Sequence, residues 1–399
     1  MAEAMAQTPR EAWITGIGIV SCLGEGLDAH WQGFAEGKPV IDAETYAPYI
    51  VHPLAEIDFD KQIPKKGDQR QMEPWQRIGT YAAGLALDSA GLKGNKELLG
   101  RMDMIVAAGG GERDEAVDSA ILTALPKAEK ADRFLNDRLM NDLRPTLFLA
   151  QLSNLLAGNI SIVHGVTGSS RTFMGEEPAG VDAVRIALAR IKAGQSDIAL
   201  VGGSYNGERS DVVMLFEFGG YCLKGAFKPV WERAAHPGFA VASLGAFLVL
   251  ESRAHAEARG VKPVARLATV ASGYSNRSKP GAIKDELGRL WPKVVGALGP
   301  GAAVISGASG VTAATAEERE FLTTHPELPV RATGTLVGHG VEPQMVMNVA
   351  LAALAVSRGK LFPPNGEFER PMDGALTQAV VTGVGHWRGE GLGLVEAVD

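Results

Sequence analysis

Short runs of aliphatic and β-branched residues that end in glycine recur along the chain. They occupy residues 12–16, 104–109, 198–203, 303–307 and 379–383. Because these runs are apolar without alternation, each one predicts a strand that is buried on both faces.

Segments with helical spacing lie between these runs. Residues 74–91 end at a glycine, residues 178–194 begin with a proline in the first turn, and residues 345–358 are apolar nearly all round. Alternating strands and helices predict an α/β fold with mainly parallel sheets. The alternation of strands and helices resumes after a charged helical segment at residues 251–259. We therefore expect two halves, residues 10–252 and 253–399, that pack as one body.

Composition excludes several classes of protein. The 399 residues carry a net charge of −7, which argues against nucleic acid as the main partner. Two cysteines, Cys22 and Cys222, do not make a disulfide scaffold and indicate a reducing compartment. No apolar run reaches the ~18 residues of a membrane helix, and the N-terminus lacks the pattern of a signal peptide. We expect a cytoplasmic protein without a membrane span.

Six segments resemble the β-ketoacyl-acyl carrier protein synthases of fatty acid and polyketide synthesis, in order and in spacing. They are residues 13–41, 73–92, 144–168, 191–204, 247–260 and 334–354. The resemblance implies the thiolase fold: two similar halves, each with a mainly parallel sheet, in five layers ordered α-β-α-β-α. It also implies a dimer in which each subunit contributes to its neighbour's acyl pocket.

The residues that carry the family's chemistry are largely replaced. The ungapped register places Glu177 where the family has its nucleophilic cysteine, and Ser309 best matches the first active-site histidine, with a possible slip of one residue. The second histidine survives as His339, whereas the family's lysine five residues earlier is Gly334. Condensation needs a thiolate and two imidazoles, so these replacements predict that the chain does not elongate acyl chains by itself.

The role of Glu177 remains open between a helix cap and a carboxylate that fills the nucleophile's place. Covalent catalysis by Glu177 is not expected, because a helix N-terminus that stabilises the anion also makes it less reactive. His339 is either a remnant hydrogen-bonded in its loop or part of a functional site. The other histidines, including His236 and His386, show no metal-ligand spacing, so we expect no metal site and no cofactor.

The resemblance also assigns substrate contacts. Leu147 and Gln151 match the positions that reach across the dimer, although Leu147 is equally well explained as a core residue. Phe239 lies in the altered glycine-rich segment 237–244. Val384 lies in the segment 383–386, which matches the family's gate and oxyanion loop.

Three functions from different classes follow. The first is a non-elongating partner subunit that shapes the acyl pocket of an active, cysteine-bearing homologue. The alternative is a stand-alone acyltransferase or decarboxylase for malonyl- or acyl-carrier thioesters, with Glu177 in place of the cysteine. The third is a carrier-protein or lipid-binding module without a synthase partner.

A basic segment precedes the second family helix. It contains Lys61, Lys65, Lys66 and Arg70, with Asp68 as the only acidic residue among them. Carrier proteins are acidic, and related synthases bind them through a small basic patch. The segment therefore predicts contact with an acyl carrier protein; the alternative is a solvated loop without a specific partner.

Overall fold

The computed structural model describes residues 10–296 and 298–398. The strands are β1 Ala12–Ser21, β2 Gly24–Glu25, β3 Val51–His52, β4 Asp103–Ala107, β5 Ser170–Phe173, β6 Ile198–Tyr205, β7 Val241–Ala242, β8 Leu244–Ser252, β9 Ala265–Gly273, β10 Ala302–Ser306, β11 Val330–Ala332, β12 Gln378–Val384 and β13 Glu390–Glu396. The α-helices are α1 Gly26–Glu36, α2 Lys66–Gln71, α3 Pro74–Ser89, α4 Lys96–Arg101, α5 Glu115–Ala124, α6 Ala131–Asp142, α7 Leu147–Ala150, α8 Leu155–His164, α9 Glu176–Lys192, α10 Ser210–Phe218, α11 Arg253–Ala258, α12 Ala282–Val294, α13 Thr312–Thr323, α14 Gly334–Val337 and α15 Gln344–Ser357.

The main sheet contains the same strand order twice. Its order is β11-β10-β12-β13-β9-β1-β8-β6-β4-β5, with β2 beside β1. We group β1, β4, β5, β6 and β8 as the first set and β9 to β13 as the second. When the strands of each set are numbered 1 to 5 along the chain, both sets have the order 3-2-4-5-1 across the sheet. Within each set the last strand, β8 or β13, runs antiparallel to its neighbours, and the other four strands point the same way. The predicted thiolase fold with two similar, mainly parallel halves is confirmed.

The two sets join through β1 and β9, which pair antiparallel at Trp13–Arg266 and Ile14–Ala265. Helices α9 and α15 occupy equivalent places in the two sets, pack against each other and contact strands of both sets. On the outside, α3 and α8 cover the first set, and α12 and α13 cover the second. These layers give the predicted α-β-α-β-α arrangement.

The central position of α15 follows from its composition. Its residues from Gln344 to Val356 are all buried, including Met345 and Val356. A helix that is apolar on every side is stable only when it is covered on every side. The predicted strands and helices all form. The helix predicted from residue 178 begins at Glu176, however, and β8 extends to Ser252 in the segment that was expected to be helical throughout.

The outer helix α3 lies unusually close to β1 because of two glycines. A Cβ atom built on Gly18 would lie 2.0 Å from the carbonyl oxygen of Ala82, and one on Gly16 would lie 2.4 Å from that of Ala86. Side chains at either position would force the helix away from the strand.

The two edges of the main sheet differ. At one edge, β11 is buried because Arg331 donates to the carbonyl oxygens of Phe362 and Arg370, which draws the later chain segment over the strand. At the other edge, Ser170 and Arg171 of β5 are exposed. Across residues 10–296 and 298–398, no helix is long and apolar enough to cross a membrane.

Candidate functional site

The site is built at the first turn of α9. Gly175 precedes the helix with φ 104°, and Glu176 opens it with φ 51°, in the left-handed region that non-glycine residues rarely adopt. This turn directs the Glu177 side chain into the protein, where it is 3% exposed. Glu176 stays nearer the surface and pairs with Arg388 at 2.9 Å.

The carboxylate of Glu177 accepts hydrogen bonds from two histidines. His339 Nε2 lies 2.7 Å from Oε1, His386 Nδ1 lies 2.8 Å from the same oxygen, and the backbone N–H of His386 donates to it at 3.1 Å. No side-chain capping hydrogen bond is made at this end of α9. The N-cap residue is Gly175, and the Glu177 carboxylate links the first turn of α9 to two distant loops.

These contacts determine the charge of the site. Burial alone would raise the pKa of Glu177, but the charge of His386 and the hydrogen bonds from His339 and His386 outweigh it and hold the pKa well below its usual range. Burial likewise disfavours the charged form of His386, yet the Glu177 carboxylate raises the pKa of that imidazole above its usual value. The buried carboxylate is thus an anion whose oxygens are directed at imidazoles.

Both histidines are held by backbone contacts. The N–H of His339 donates to the carbonyl of Ala240 at 2.9 Å, and the carbonyl of His339 accepts from Ala242 at 3.0 Å. His386 follows β12 in a turn closed by Gly385 and Gly389, whose carbonyls both accept from Arg277 at 3.1 Å.

Aromatic rings surround the two imidazoles. The ring of Phe239 lies 4.7 Å from His339 and 5.6 Å from His386, and Phe216 and Tyr221 lie 5.4 and 4.7 Å from His386. Phe239, which the sequence assigned to substrate contact, therefore lies against both histidines. These rings pack against the two imidazoles that bond to Glu177.

A cavity of about 620 Å³ opens beside His386. Gln151 lines it, as do Met174, Phe216 and Glu342, and the Gln151 side-chain amide donates to the carbonyl of Glu112. Leu147 is half-buried in α7 and is not among the described residues of the cavity wall.

Two residues assigned from the sequence are not among the hydrogen-bond partners of the Glu177 carboxylate. The hydroxyl of Ser309 accepts from the N–H of Val311 at 3.4 Å, and its carbonyl accepts from the buried Arg233 at 3.2 Å. Val384 is buried in an apolar core cluster with Val230 and other residues of the second strand set. Its position at the end of β12 nonetheless fixes the turn that carries His386.

Neither cysteine supplies the missing nucleophile. Cys22 and Cys222 are both buried, as expected for small apolar residues, and burial raises the pKa of each thiol to about 12. The reactive thiolate form is therefore scarce near neutral pH.

The basic segment is exposed but partly paired. Lys66 lies 2.5 Å from Asp60, and Lys61 lies 3.6 Å from Glu25. Lys65 precedes α2, and Arg70 lies in its last turn. The net positive charge of this surface therefore rests mainly on Lys65 and Arg70.

The family model described as "Beta-ketoacyl synthase, N-terminal domain" matches residues 10–256. The chain belongs to the beta-ketoacyl synthase family. It is 26% identical over 272 residues to a 3-oxoacyl-[acyl-carrier-protein] synthase 2 of Vibrio harveyi, an alignment that covers 65% of this chain and 61% of that protein. The chain therefore matches about three fifths of the length of that relative.

A second relative is aligned over more of its length. The tetracenomycin polyketide synthase ketoacyl synthase beta subunit of Streptomyces glaucescens is 27% identical over 381 residues, covering 89% of this chain and 88% of that one. Among solved structures, the ishigamide ketosynthase/chain length factor has a TM-score of 0.79 at 19% identity, with 98% of this chain and 100% of that chain covered. At that identity the structural match supports the fold alone.

Sequence reasoning placed Glu177 and His339 at matching family positions but did not assign His386 or Glu342 to the site. His386 was recognisable only as the residue after the glycine-rich turn 383–385. Glu342 lies three residues after His339 and is buried with no hydrogen-bond partner for Oε2 among the described residues. No local spacing in the sequence distinguishes either residue.

Proposed function

We propose that this protein is a non-elongating partner subunit of a cysteine-bearing ketoacyl synthase and that it helps to shape the acyl pocket. The observation that carries the proposal is the Glu177 carboxylate, which replaces the nucleophile and is bonded by His339 and His386. A carboxylate oxygen that accepts hydrogen bonds from two imidazoles and a backbone N–H is a weak nucleophile toward a thioester.

The stand-alone acyltransferase or decarboxylase is less well supported. Such a reaction needs polarising groups around the thioester carbonyl, and the best match to the family's first histidine is Ser309. The Ser309 hydroxyl is buried and bonded to the N–H of Val311. His339 Nε2 is likewise directed at Glu177 and not at an open space.

Exposed apolar side chains and the exposed edge of β5 support an assembled state. Apolar side chains that are more than two fifths exposed lie in or next to α6, α7, α8 and α10 and after β5. They are Leu139, Met140, Phe148, Leu149, Ile162, Met174, Met214, Leu215 and Phe218. An exposed edge strand, together with many exposed apolar residues, is unusual for a monomer, because another chain commonly covers such features. A second subunit, either a copy or a cysteine-bearing homologue, would cover this surface.

The cavity beside His386 adjoins that surface. Gln151 and Met174 line the cavity, and Met174 is also 65% exposed. A partner subunit seated along β5 would therefore close one side of the cavity, and changes in its lining would alter the length of acyl chain that fits. An acidic acyl carrier protein would dock at Lys65 and Arg70 on the exposed α2 segment.

The test is co-expression of the full chain with a cysteine-bearing homologue from the same cell, followed by purification through a tag on the homologue alone. We expect a stoichiometric pair that elongates carrier-bound acyl chains, while this chain alone does not. Met174→Trp should shorten the products of the pair, whereas Met140→Trp, which is not among the described cavity residues, should not change them. A homologue that elongates equally well without this chain, with the same products, would contradict the proposal.

A further inference from the structure

Three potential metal ligands meet in the site, although the sequence shows no metal-ligand spacing. One carboxylate oxygen of Glu177, Nε2 of His339 and Nδ1 of His386 all lie within 4.8 Å of one another. We propose that these three residues bind a divalent transition-metal ion such as Zn²⁺. This goes beyond the partner-subunit function, which does not require a metal.

The ligand set suits such an ion. Zn²⁺ takes imidazole nitrogen and carboxylate oxygen at about 2.0–2.2 Å, which places neighbouring ligand atoms about 3.5 Å apart in a tetrahedron. The hydrogen-bonded distances of 2.7 and 2.8 Å from Glu177 to the two imidazoles need to widen by less than 1 Å. With the metal bound, each imidazole would be neutral. Its proton would sit on the ring nitrogen that does not bind the metal, which is Nδ1 in His339 and Nε2 in His386.

The surrounding charge is an independent argument. Besides Glu177, the region holds Glu342, which is 5% exposed and whose Oε2 has no partner among the described residues. Glu176 is neutralised by Arg388 at 2.9 Å, and Arg277 is engaged by Glu390 at 2.8 Å. Neither buried carboxyl group is paired with an arginine or lysine among the described residues, so a dication would stabilise the charge of Glu177 and favour the ionised form of Glu342.

The site also has space for a further ligand. His386, Glu176 and Glu342 line the cavity of about 620 Å³. Zinc sites with three protein ligands typically leave one coordination position for water or substrate, whereas structural sites are closed by four ligands. The open side of this centre would therefore face the cavity, and Glu342 would be available to bond a metal-bound water.

The competing explanation is a purely hydrogen-bonded His–Glu–His group, in which both imidazoles donate protons to Glu177. The two explanations differ in a measurable way. A hydrogen-bonded group gives no tight metal binding, whereas a metal centre binds one ion per chain and depends on all three ligands.

The experiment uses the untagged full chain, treated with a chelator and then titrated with Co²⁺ or Zn²⁺. We expect one Co²⁺ per chain with visible absorption typical of low coordination number, displacement by Zn²⁺, and a higher melting temperature with Zn²⁺. Glu177→Gln and His386→Ala should each weaken Zn²⁺ binding by more than about tenfold in calorimetry. His236→Ala removes an exposed imidazole outside the site and serves as the matched control.

Two outcomes would overturn the proposal: a wild-type chain that binds no Zn²⁺ at micromolar concentration, or variants that bind it as tightly as the wild type. If the ligand variants lose their fold, which far-ultraviolet circular dichroism detects, the wild-type stoichiometry and cobalt spectrum still decide. The partner-subunit function is tested by copurification without added metal, so either proposal can fail alone.

Discussion

The Nδ1 atom and the backbone N–H of His386 both bond to Oε1 of Glu177, a residue 209 positions earlier in the chain. This pairing ties the first turn of α9, in the first strand set, to the turn after β12, in the second. The family register predicts that related synthases have a reactive thiol at this position; here the position holds a buried carboxylate whose Oε1 accepts three hydrogen bonds. Its hydrogen bonds make it a fixed element of the interface between the two halves.

Restoring the thiol alone should not restore condensation. Glu177→Cys supplies a nucleophile, but the family register predicts that Ser309 and Gly334 replace the family's histidine and lysine. We expect no acyl adduct on the wild-type chain, and no carbon–carbon bond formation by the variant, when long acyl-carrier thioesters and malonyl-carrier are supplied. Intact-protein mass spectrometry and product analysis measure both. A stable adduct on wild-type Glu177 would refute the assignment of a non-nucleophilic carboxylate.

The purified chain should be a dimer, with itself or with a homologue. The exposed edge of β5 and exposed apolar residues such as Phe148 and Phe218 favour an obligate interface, and interfaces of that kind bury about 2,000–5,000 Å². Light scattering at micromolar concentration measures the mass. Phe218→Asp should shift the chain toward monomers, whereas Val40→Asp, at an exposed apolar residue between α1 and β3, should not. A monodisperse wild-type monomer would count against the assembly.

Carrier binding should depend on the α2 segment. Reversing Lys65 and Lys66 to Glu should slow association with an acidic carrier and leave folding intact, because exposed charges steer encounters. The effect should shrink as salt rises, since such charges are screened beyond about 8 Å at physiological ionic strength. Lys262→Glu combined with Lys360→Glu changes the net charge equally and is the control. Association rates that are the same for both double variants across a salt series would leave α2 without a role.

Glu342 should make stability depend on pH. Burial and the Glu177 charge raise its pKa to about 7, so the folded protein holds a proton that the unfolded chain loses near its usual pKa of 4.5. The folded state binds more protons in this window, so the contribution of Glu342 to stability falls as pH rises from about 4.5 to 7. The free energy of unfolding of Glu342→Gln, relative to that of the wild type, should therefore rise by up to about 3 kcal/mol as the pH rises from about 4.5 to 7. Urea unfolding with a chelator present measures this, and a constant difference at pH 5 and 7.5 would contradict it.

The close contact between α3 and β1 predicts a matched pair of glycine variants. Gly18→Ala places a methyl group 2.0 Å from the Ala82 carbonyl oxygen and should destabilise the fold by about 1–3 kcal/mol or more. Gly67→Ala, in α2 with open space around it, should be neutral or stabilising by about 0.5–1 kcal/mol. Thermal or urea unfolding compares the two. Equal stabilities would show that α3 can move away from the strand at no cost.

The sequence by itself determined the elements whose signals are local. Glycine-terminated apolar runs located the core strands, and the all-apolar segment at residues 345–358 identified a helix that the structure buries completely. The family register brought Glu177 and His339 to attention because residue order along a strand–turn–helix unit is preserved even when side chains change. The division of the chain at residues 252 and 253 stays a prediction.

Only the tertiary structure decided which groups meet. Glu177, His339 and His386 come from three separate turns, and their contact depends on how α9 packs against α15 and β12. Glu342 is buried as well, and Val384 lies in the core. Hydrophobic periodicity reports which side of an element is buried. It carries no information on which polar side chains converge at the ends of elements, because that depends on the distances and angles between distant parts of the chain.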